Sequence, residues 1–225
     1  MVPERERPGW KRELANGCRE LCLDVGGDQL EAFGTYRRML RRWNRLADLI
    51  SPGDLDRLVS RHFLDSLSLL HLFIPLPGAR VLDVGSGGGF PGIPVKICCP
   101  GIDLTLLEPR EKPWFFLRDV VTALSMESVT VLRARAQSLH ETHTAADRFD
   151  LVLARALAPL ERLVRICLPL VRSGGMLVAY KGRRAQEEIV LAEEIIQQAD
   201  GHIVAMPVKV PGVAARRFLI FLQRP

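Results

Sequence analysis

The chain has no apolar run approaching 18 uncharged residues, so no segment of it is expected to span a membrane. The opening Met1-Val2-Pro3-Glu4-Arg5-Glu6-Arg7 has no apolar stretch behind it, which argues against a secretory signal and for a cytoplasmic location. Zinc-type cysteine spacing is also missing. Cys18 and Cys22 stand one helical turn apart, Cys98 and Cys99 are adjacent, and Cys167 is alone in an apolar stretch. This odd set of five reads as buried, reduced thiols. His140 and His143 flank Glu141, but zincins need histidines four apart, so a polar loop and no metal are expected there. There is no internal repeat and no low-complexity tract. What is present is 225 residues, enough for one substantial core plus an appendage, with an ordinary hydrophobic content of 48%. A net charge of +5 and a pI near 9.2 lean towards an acidic partner such as nucleic acid.

The most informative stretch is Val81 to Gly92. Val81, Leu82 and Val84 suit a buried parallel strand, with Asp83 near its end. Gly85, Ser86, Gly87, Gly88 and Gly89 then make a turn without bulk, where backbone amides can approach a ligand. Pro91 suits the first turn of a following helix, and Gly92 keeps that turn slim. A dinucleotide fingerprint would put its third glycine at Phe90, and a P-loop would need a lysine where Ile93 stands, so neither pattern fits. What remains is Asp-x-Gly-x-Gly-x-Gly. Leu104, Leu106 and Leu107 form a second apolar run ending in Glu108, about 20 positions beyond the turn, where doubly wound folds place an acid for the ribose hydroxyls. The alternative is that Glu108 only caps a helix starting near Glu111.

Apolar residues recur at helical spacing from Leu30 to Leu46, with Arg37, Arg38, Arg41, Arg42 and Arg45 on the other face. Ser51-Pro52 reads as a helix start and Arg61 to Phe73 as a further helix. Residues 1–78 are therefore expected to form a helical extension, and 79–225 an α/β domain. Strands are expected at 80–84, 103–108, 128–133, 149–154, 175–181, 202–209 and 217–223. Helices are expected near 91–99, 112–125, 159–171 and 184–199. This is a mostly parallel seven-stranded sheet covered on both faces, its terminal strand pair antiparallel for want of a helix between them.

Several strings together resemble the bacterial small-subunit rRNA guanine-N7 methyltransferases, the glucose-inhibited division protein B family. They are Trp43-Asn44, Arg61-His62-Phe63-Leu64-Asp65-Ser66-Leu67, the glycine turn with Phe90-Pro91-Gly92-Ile93-Pro94, Arg155-Ala156 and Lys181-Gly182, and the resemblance runs from about residue 30 to the C-terminus. It implies a Rossmann-like class I methyltransferase using S-adenosylmethionine, with small-subunit rRNA or the 30S particle as partner. It also implies cofactor contacts from Gly85, Phe90, Glu108, Pro109, Arg110, Ala136, Gln137 and Arg155. Relatives usually carry an acid where this chain has Gln137, and Asp48-Leu49-Ile50 replaces their Asn-Leu-Thr string.

The target atom is suggested partly by what is missing. Amino-group methyltransferases carry an Asn/Asp-Pro-Pro-aromatic string, which Asp150-Leu151-Val152-Leu153 is not. The nucleophilic cysteine context of cytosine-C5 enzymes is absent too. Guanine N7 has a lone pair and no proton, so positioning is the main requirement. Arg155 is expected to be catalytic, placing the base or the charge; the alternative is a structural ion pair. The Arg37–Arg45 face could grip rRNA phosphates or simply be solvated, while Lys181, Arg183 and Arg184 should lie where substrate sits. A methyltransferase acting on another RNA, a small molecule or a protein, and a non-catalytic RNA-binding relative, are the rival readings. A monomer is favoured.

Overall fold

The computed structural model describes residues 9–142 and 148–225; His143 and Met1–Arg7 lie outside the described residues. Among the described residues, seven strands run in chain order: β1 Arg80–Val84, β2 Asp103–Leu107, β3 Val129–Leu132, β4 Phe149–Arg155, β5 Val171–Lys181, β6 His202–Val208 and β7 Arg217–Gln223. They form one sheet in the order β3-β2-β1-β4-β5-β7-β6. The pairs from β3 through β5 are parallel. β7 pairs antiparallel with both β5 and β6. With no helix to carry the chain over the sheet after β6, the return strand has to run backwards, and it enters between β5 and the edge.

Among the described residues, eight α-helices flank the sheet: α1 Trp10–Glu20, α2 Gly27–Ala47, α3 Asp65–Leu72, α4 Gly92–Cys98, α5 Glu111–Ala123, α6 Ala136–Thr142, α7 Leu160–Cys167 and α8 Ala185–Gln198. Strand residues alternate between two cores, as the pleat demands. Val81, Leu151, Leu153, Val178 and Leu219 join the side chains of α1 to α5. Leu82, Val152, Ala154, Leu177 and Ile220 join those of α6 to α8. The N-terminal helices are thus one of the sheet's two covering layers and share a core with it.

Several sequence expectations need correction. The helix expected over 159–171 stops at Cys167, because Pro169 removes an amide and disfavours helical backbone before it; a 3-10 turn covers Leu168–Leu170 and β5 begins at Val171, not 175. Ser51-Pro52 opens only a 3-10 turn, Pro52–Arg57, with the Ser51 hydroxyl donating to Asp54 Oδ2 rather than accepting from a backbone amide as a cap would. The helix expected from Arg61 begins with a π-helical turn over Val59–Leu64 before α3. His140 falls in α6 and not in a loop. Cys22 is exposed, while Cys18 and Cys167 are the buried thiols.

A fragment of residues 79–225 should therefore not reach the native state alone, since the sheet face holding Val81, Leu153 and Val178 would keep only α4 and α5 and lose the covering of α1 to α3. Expressed alone it should bind a hydrophobic dye and show no cooperative thermal transition. A sharp transition without dye binding would disprove the shared core.

Candidate active site

The strand order reverses between β1 and β4, and ligands in open α/β sheets sit outside the carboxyl ends of the strands at such a point. Here the glycine turn leaves β1 and Ala156-Leu157-Ala158-Pro159 leaves β4. Two cavities open beside them. The smaller, about 170 Å³, is lined by Val84, Gly85, Pro109, Ala136, Gln137 and Leu157, among others. The larger, about 500 Å³, lies between the end of β4, the π-helical turn and the start of β7. Leu157 and Ala158 belong to both walls.

The turn is shaped by close approach. Gly85 has φ +73°, and a Cβ there would stand 2.8 Å from Leu157 Cδ1. At Gly89, φ is +87° and a Cβ would meet Ile93 at 2.4 Å and the Tyr36 hydroxyl at 2.8 Å. L side chains rarely adopt these angles, so the turn presents bare backbone. Tyr36 of α2 donates its hydroxyl to the Gly88 carbonyl and holds the turn from behind. Glu108, buried at the end of β2, accepts from the Gly87 amide at 2.8 Å and from both the amide (2.9 Å) and Nε (3.0 Å) of Arg110. It therefore serves the turn and the start of α5 together.

Asp83 lies under the turn, fully buried. Its Oδ2 accepts from the Gly92 amide at 3.0 Å and its Oδ1 has no hydrogen-bond partner. Burial pushes this carboxyl up to about 7, against the pull of the Gly92 amide.

Arg155, at the end of β4, reaches back to the N-terminal layer. Its Nη1 donates to Asp65 Oδ2 at 2.9 Å and to the Arg61 carbonyl at 3.2 Å, and its Nη2 donates to His62 Nδ1 at 2.8 Å. The guanidinium lies 4.9 Å from the Phe90 ring centre. Burial, and secondarily the charge of Arg155, pushes the His62 imidazole down to about 3, so it is neutral and carries its proton on Nε2. That nitrogen makes no hydrogen bond; Asp54 Oδ2 is 3.8 Å away. Two carbonyls of the π-helical turn are taken by side chains: Arg155 takes that of Arg61, and the Ser66 hydroxyl donates to that of His62 at 2.6 Å, which also accepts the Asp65 amide.

Of the residues expected at the site, Gly85, Pro109, Ala136 and Gln137 line the smaller cavity and Arg155 the larger. Phe90, Glu108 and Arg110 line neither, and Phe90 packs among Tyr36, His62 and Phe63. Lys181 and Arg184 line the larger cavity; Lys181 Nζ is bound to the Ala158 carbonyl and Glu188 Oε2, each at 2.6 Å. The arginine face of α2 is not uniform. Arg37 is buried under the Trp10 ring and Arg41 is half-buried against the Leu55 carbonyl, while Arg38, Arg42 and Arg45 are exposed. Residue patterns missed Arg217, whose Nε donates to Asp65 Oδ1 at 3.0 Å, and missed the part Asp65 plays. The His62–Asp65–Ser66 string was the available signal, but nothing in it points to a partner 152 residues away.

The chain's residues 29–217 match the model of the family described as rRNA small subunit methyltransferase G. It is 37% identical over 211 residues to the ribosomal RNA small subunit methyltransferase G of Roseiflexus sp. (strain RS-1), covering 93% of this chain and 90% of that one. The protein of the same name from Chromobacterium violaceum is 37% identical over 209 residues, covering 92% and 95%. Among solved structures, the fold is similar to a precorrin-6y C5,15-methyltransferase from Geobacter metallireducens, with TM-score 0.51, 16% identity and coverage of 79% and 91%. It is also similar to TrmN from Thermus thermophilus, with TM-score 0.55, 22% identity and coverage of 74% and 53%.

The two perturbed groups make opposite pH predictions. A carboxyl raised to about 7 contributes stability that is complete at low pH and is lost as pH rises through 7. An imidazole lowered to about 3 contributes stability that is present above its ordinary 6.5 and is lost as pH falls towards 3. Between about pH 4 and 6.5 they oppose each other, so the difference between variants is the test. Asp83→Asn should gain stability over the parent progressively from about pH 4 to 7, by a few kcal/mol in order of magnitude, and level off above. Urea unfolding across that range measures it; a difference independent of pH would rule out a protonated Asp83.

Proposed function

The chain belongs to the rRNA small subunit methyltransferase G family, and from that premise we propose that it transfers a methyl group from S-adenosylmethionine to N7 of a guanine in small-subunit rRNA. One observation carries the choice of target atom: every candidate base around the larger cavity is already engaged. Asp65 is held by two arginines, Asp54 by the Ser51 hydroxyl and Arg61, and Glu188 by Lys181 and the Leu160 amide. The free ring nitrogen of neutral His62 is a donor. Such a site fits an atom that has a lone pair and no proton to remove.

The smaller cavity suits the cofactor, since the turn offers bare backbone that a Cβ at Gly85 would cover. Gly85, Pro109, Ala136 and Gln137 would line it, Glu108 and Arg110 would support the turn beside the ribose, and Phe90 would back it. When bound there, S-adenosylmethionine supplies an electrophilic methyl on sulfur. The chain's own residues orient and exclude water: the Ala156–Pro159 loop walls both cavities through Leu157 and Ala158, and Arg155 stands in the wall of the larger one. Its guanidinium is fixed on Asp65, His62 and the Phe90 face, so its orientation costs little at the moment of reaction. A donor there suits guanine O6, next to N7 on the major-groove edge, where adenine would present an amino group. The rRNA would be met free or in the small-subunit particle, by a cytoplasmic monomer, with the exposed Arg38 and Arg42 of α2 placed to meet backbone phosphates.

Purified protein with methyl-labelled cofactor should label small-subunit RNA and not protein. Borohydride and aniline should then cleave that RNA at one position, because N7-methylguanine is cationic and labile. A label on protein or on an exocyclic amine would overturn the target. Arg155→Lys keeps the charge but loses the fork, and should lower kcat by about tenfold or more, about 1.4 kcal/mol, with cofactor affinity nearly unchanged. Gln137→Glu should tighten cofactor binding by ~0.5–1.5 kcal/mol in calorimetry, provided the carboxylate gains a hydrogen bond from the ligand. Weaker binding would mean that the amide is the better partner here.

A further inference from the structure

Asp65 fixes two guanidiniums. Its Oδ2 takes Arg155 from the end of β4 and its Oδ1 takes Arg217 from the start of β7, and the carboxylate itself is only 7% exposed. One negative charge cannot compensate two positive ones. Around the same cavity Arg61 faces Asp54 and Lys181 faces Glu188, while the exposed Arg184 makes no ion pair among the described residues. With His62 neutral, positive charge is left over on the side of Arg217 and Arg184.

Arg217 is held through Nε alone. Its two Nη groups donate to no described residue, which leaves four N–H donors on a side chain 26% exposed at the cavity wall. Beside them stands Gly182. Its backbone needs no positive φ, and a Cβ there would lie 3.7 Å from Arg217 Nη1, with no other neighbour within 4 Å. Glycine is therefore not required by the fold at this point. What its missing side chain does is leave the face of Arg217 uncovered.

We propose that the Nη groups of Arg217, with Arg184, form a phosphate subsite for the substrate RNA, and that Asp65 is the positioning residue that aims Arg217 into it. A planar fork held at one nitrogen matches the paired oxygens of a phosphate. The inference rests on the reading of RNA as substrate. S-adenosylmethionine carries no phosphate, so its carboxylate is the one competing anion.

The test uses the full chain and binding, without turnover. Affinity for small-subunit rRNA is measured over a range of salt for the parent, Arg217→Gln and Gly182→Leu, with thermal unfolding to verify folding and calorimetry for S-adenosylmethionine. Gly182→Leu leaves the Asp65 pairs intact and meets nothing closer than Arg217, so it separates access from stability. Both variants should bind RNA more weakly and lower the slope of log affinity against log salt by about 0.7, one single-strand phosphate. Cofactor affinity should be unchanged, and KM for RNA should rise while kcat holds. On an RNA fragment, the single neutral methylphosphonate linkage that weakens the parent should weaken Arg217→Gln no further. Unchanged salt slopes, or additive effects of linkage and mutation at every position, would overturn the subsite. Loss of cofactor affinity would assign Arg217 to the carboxylate instead. A changed slope with no methyl incorporation would keep the subsite and reject the methylation reading.

Discussion

The contact on which the rest of this molecule depends is between Tyr36 and the glycine turn. The Tyr36 hydroxyl donates to the Gly88 carbonyl, and its ring stacks on Phe63 and Phe116 and tilts against Phe90. Phe33 closes on Phe63 from α2 at 4.9 Å between ring centres. These rings fill the space between α2, the π-helical turn, α5 and the sheet, so one packed cluster does two things. It buries the face of the sheet that β1, β4 and β5 would otherwise expose, and it fixes the carbonyl that sets the shape of the turn. A buried hydroxyl without a partner, or a carbonyl without its donor, would cost ~1–3 kcal/mol, so turn and helix are tied energetically as well as sterically. The position that a dinucleotide-binding turn gives to a third glycine is taken by Phe90 because the aromatic cluster needs a ring there.

Charge is arranged by the same logic on the other side of that cluster. A buried ion pair is no guarantee of stability, because desolvation offsets much of the attraction. Asp65 is more informative as geometry than as energy. Its two oxygens point at guanidiniums that enter from β4 and β7, and the carboxylate itself belongs to α3. Three separate parts of the chain meet at one carboxylate, at the edge of the larger cavity. The neutral imidazole of His62 completes the set by accepting from Arg155 without adding a charge. The result is an arginine whose direction is fixed from three sides, against the flat face of Phe90.

The parts legible in the sequence are those whose physics is local. Val81-Leu82-Asp83-Val84 followed by glycines can hardly be other than a buried strand and a close-approach turn, and the structure places it at the reversal of strand order. Strand after strand was readable because a sheet covered on both faces writes unbroken apolar runs. Where β5 begins was not readable, because Pro169 and the glycines at 174 and 175 set it, with a register shift opposite Phe149 and Leu151. The arginine face of α2 was misread for a tertiary reason: Arg37 lies at the right angle for solvent until Trp10 of α1 covers it. Arg217 could not be found at all. Alone in Arg216-Arg217-Phe218 it is one more cation at a strand start, and only the antiparallel insertion of β7 beside β5 brings it to Asp65.

This division between local and long-range features separates the two halves of the site. The smaller cavity rests on backbone, on glycines and on one carboxylate, Glu108, that braces the turn from within. Side-chain substitutions around it change fit by fractions of an interaction, while a Cβ at Gly89 would collide with Ile93 and Tyr36 and disturb the core behind it. The larger cavity rests on side chains from distant segments, each aimed by another: Arg155 and Arg217 by Asp65, Lys181 by Glu188, Glu188 by the Leu160 amide. Damage at any of these should pass to its neighbours, so effects there will not add. Methyl transfer to an atom without a proton asks only for position. The larger cavity, which we propose meets the target base and its phosphate, is where this chain concentrates its charged, mutually oriented groups.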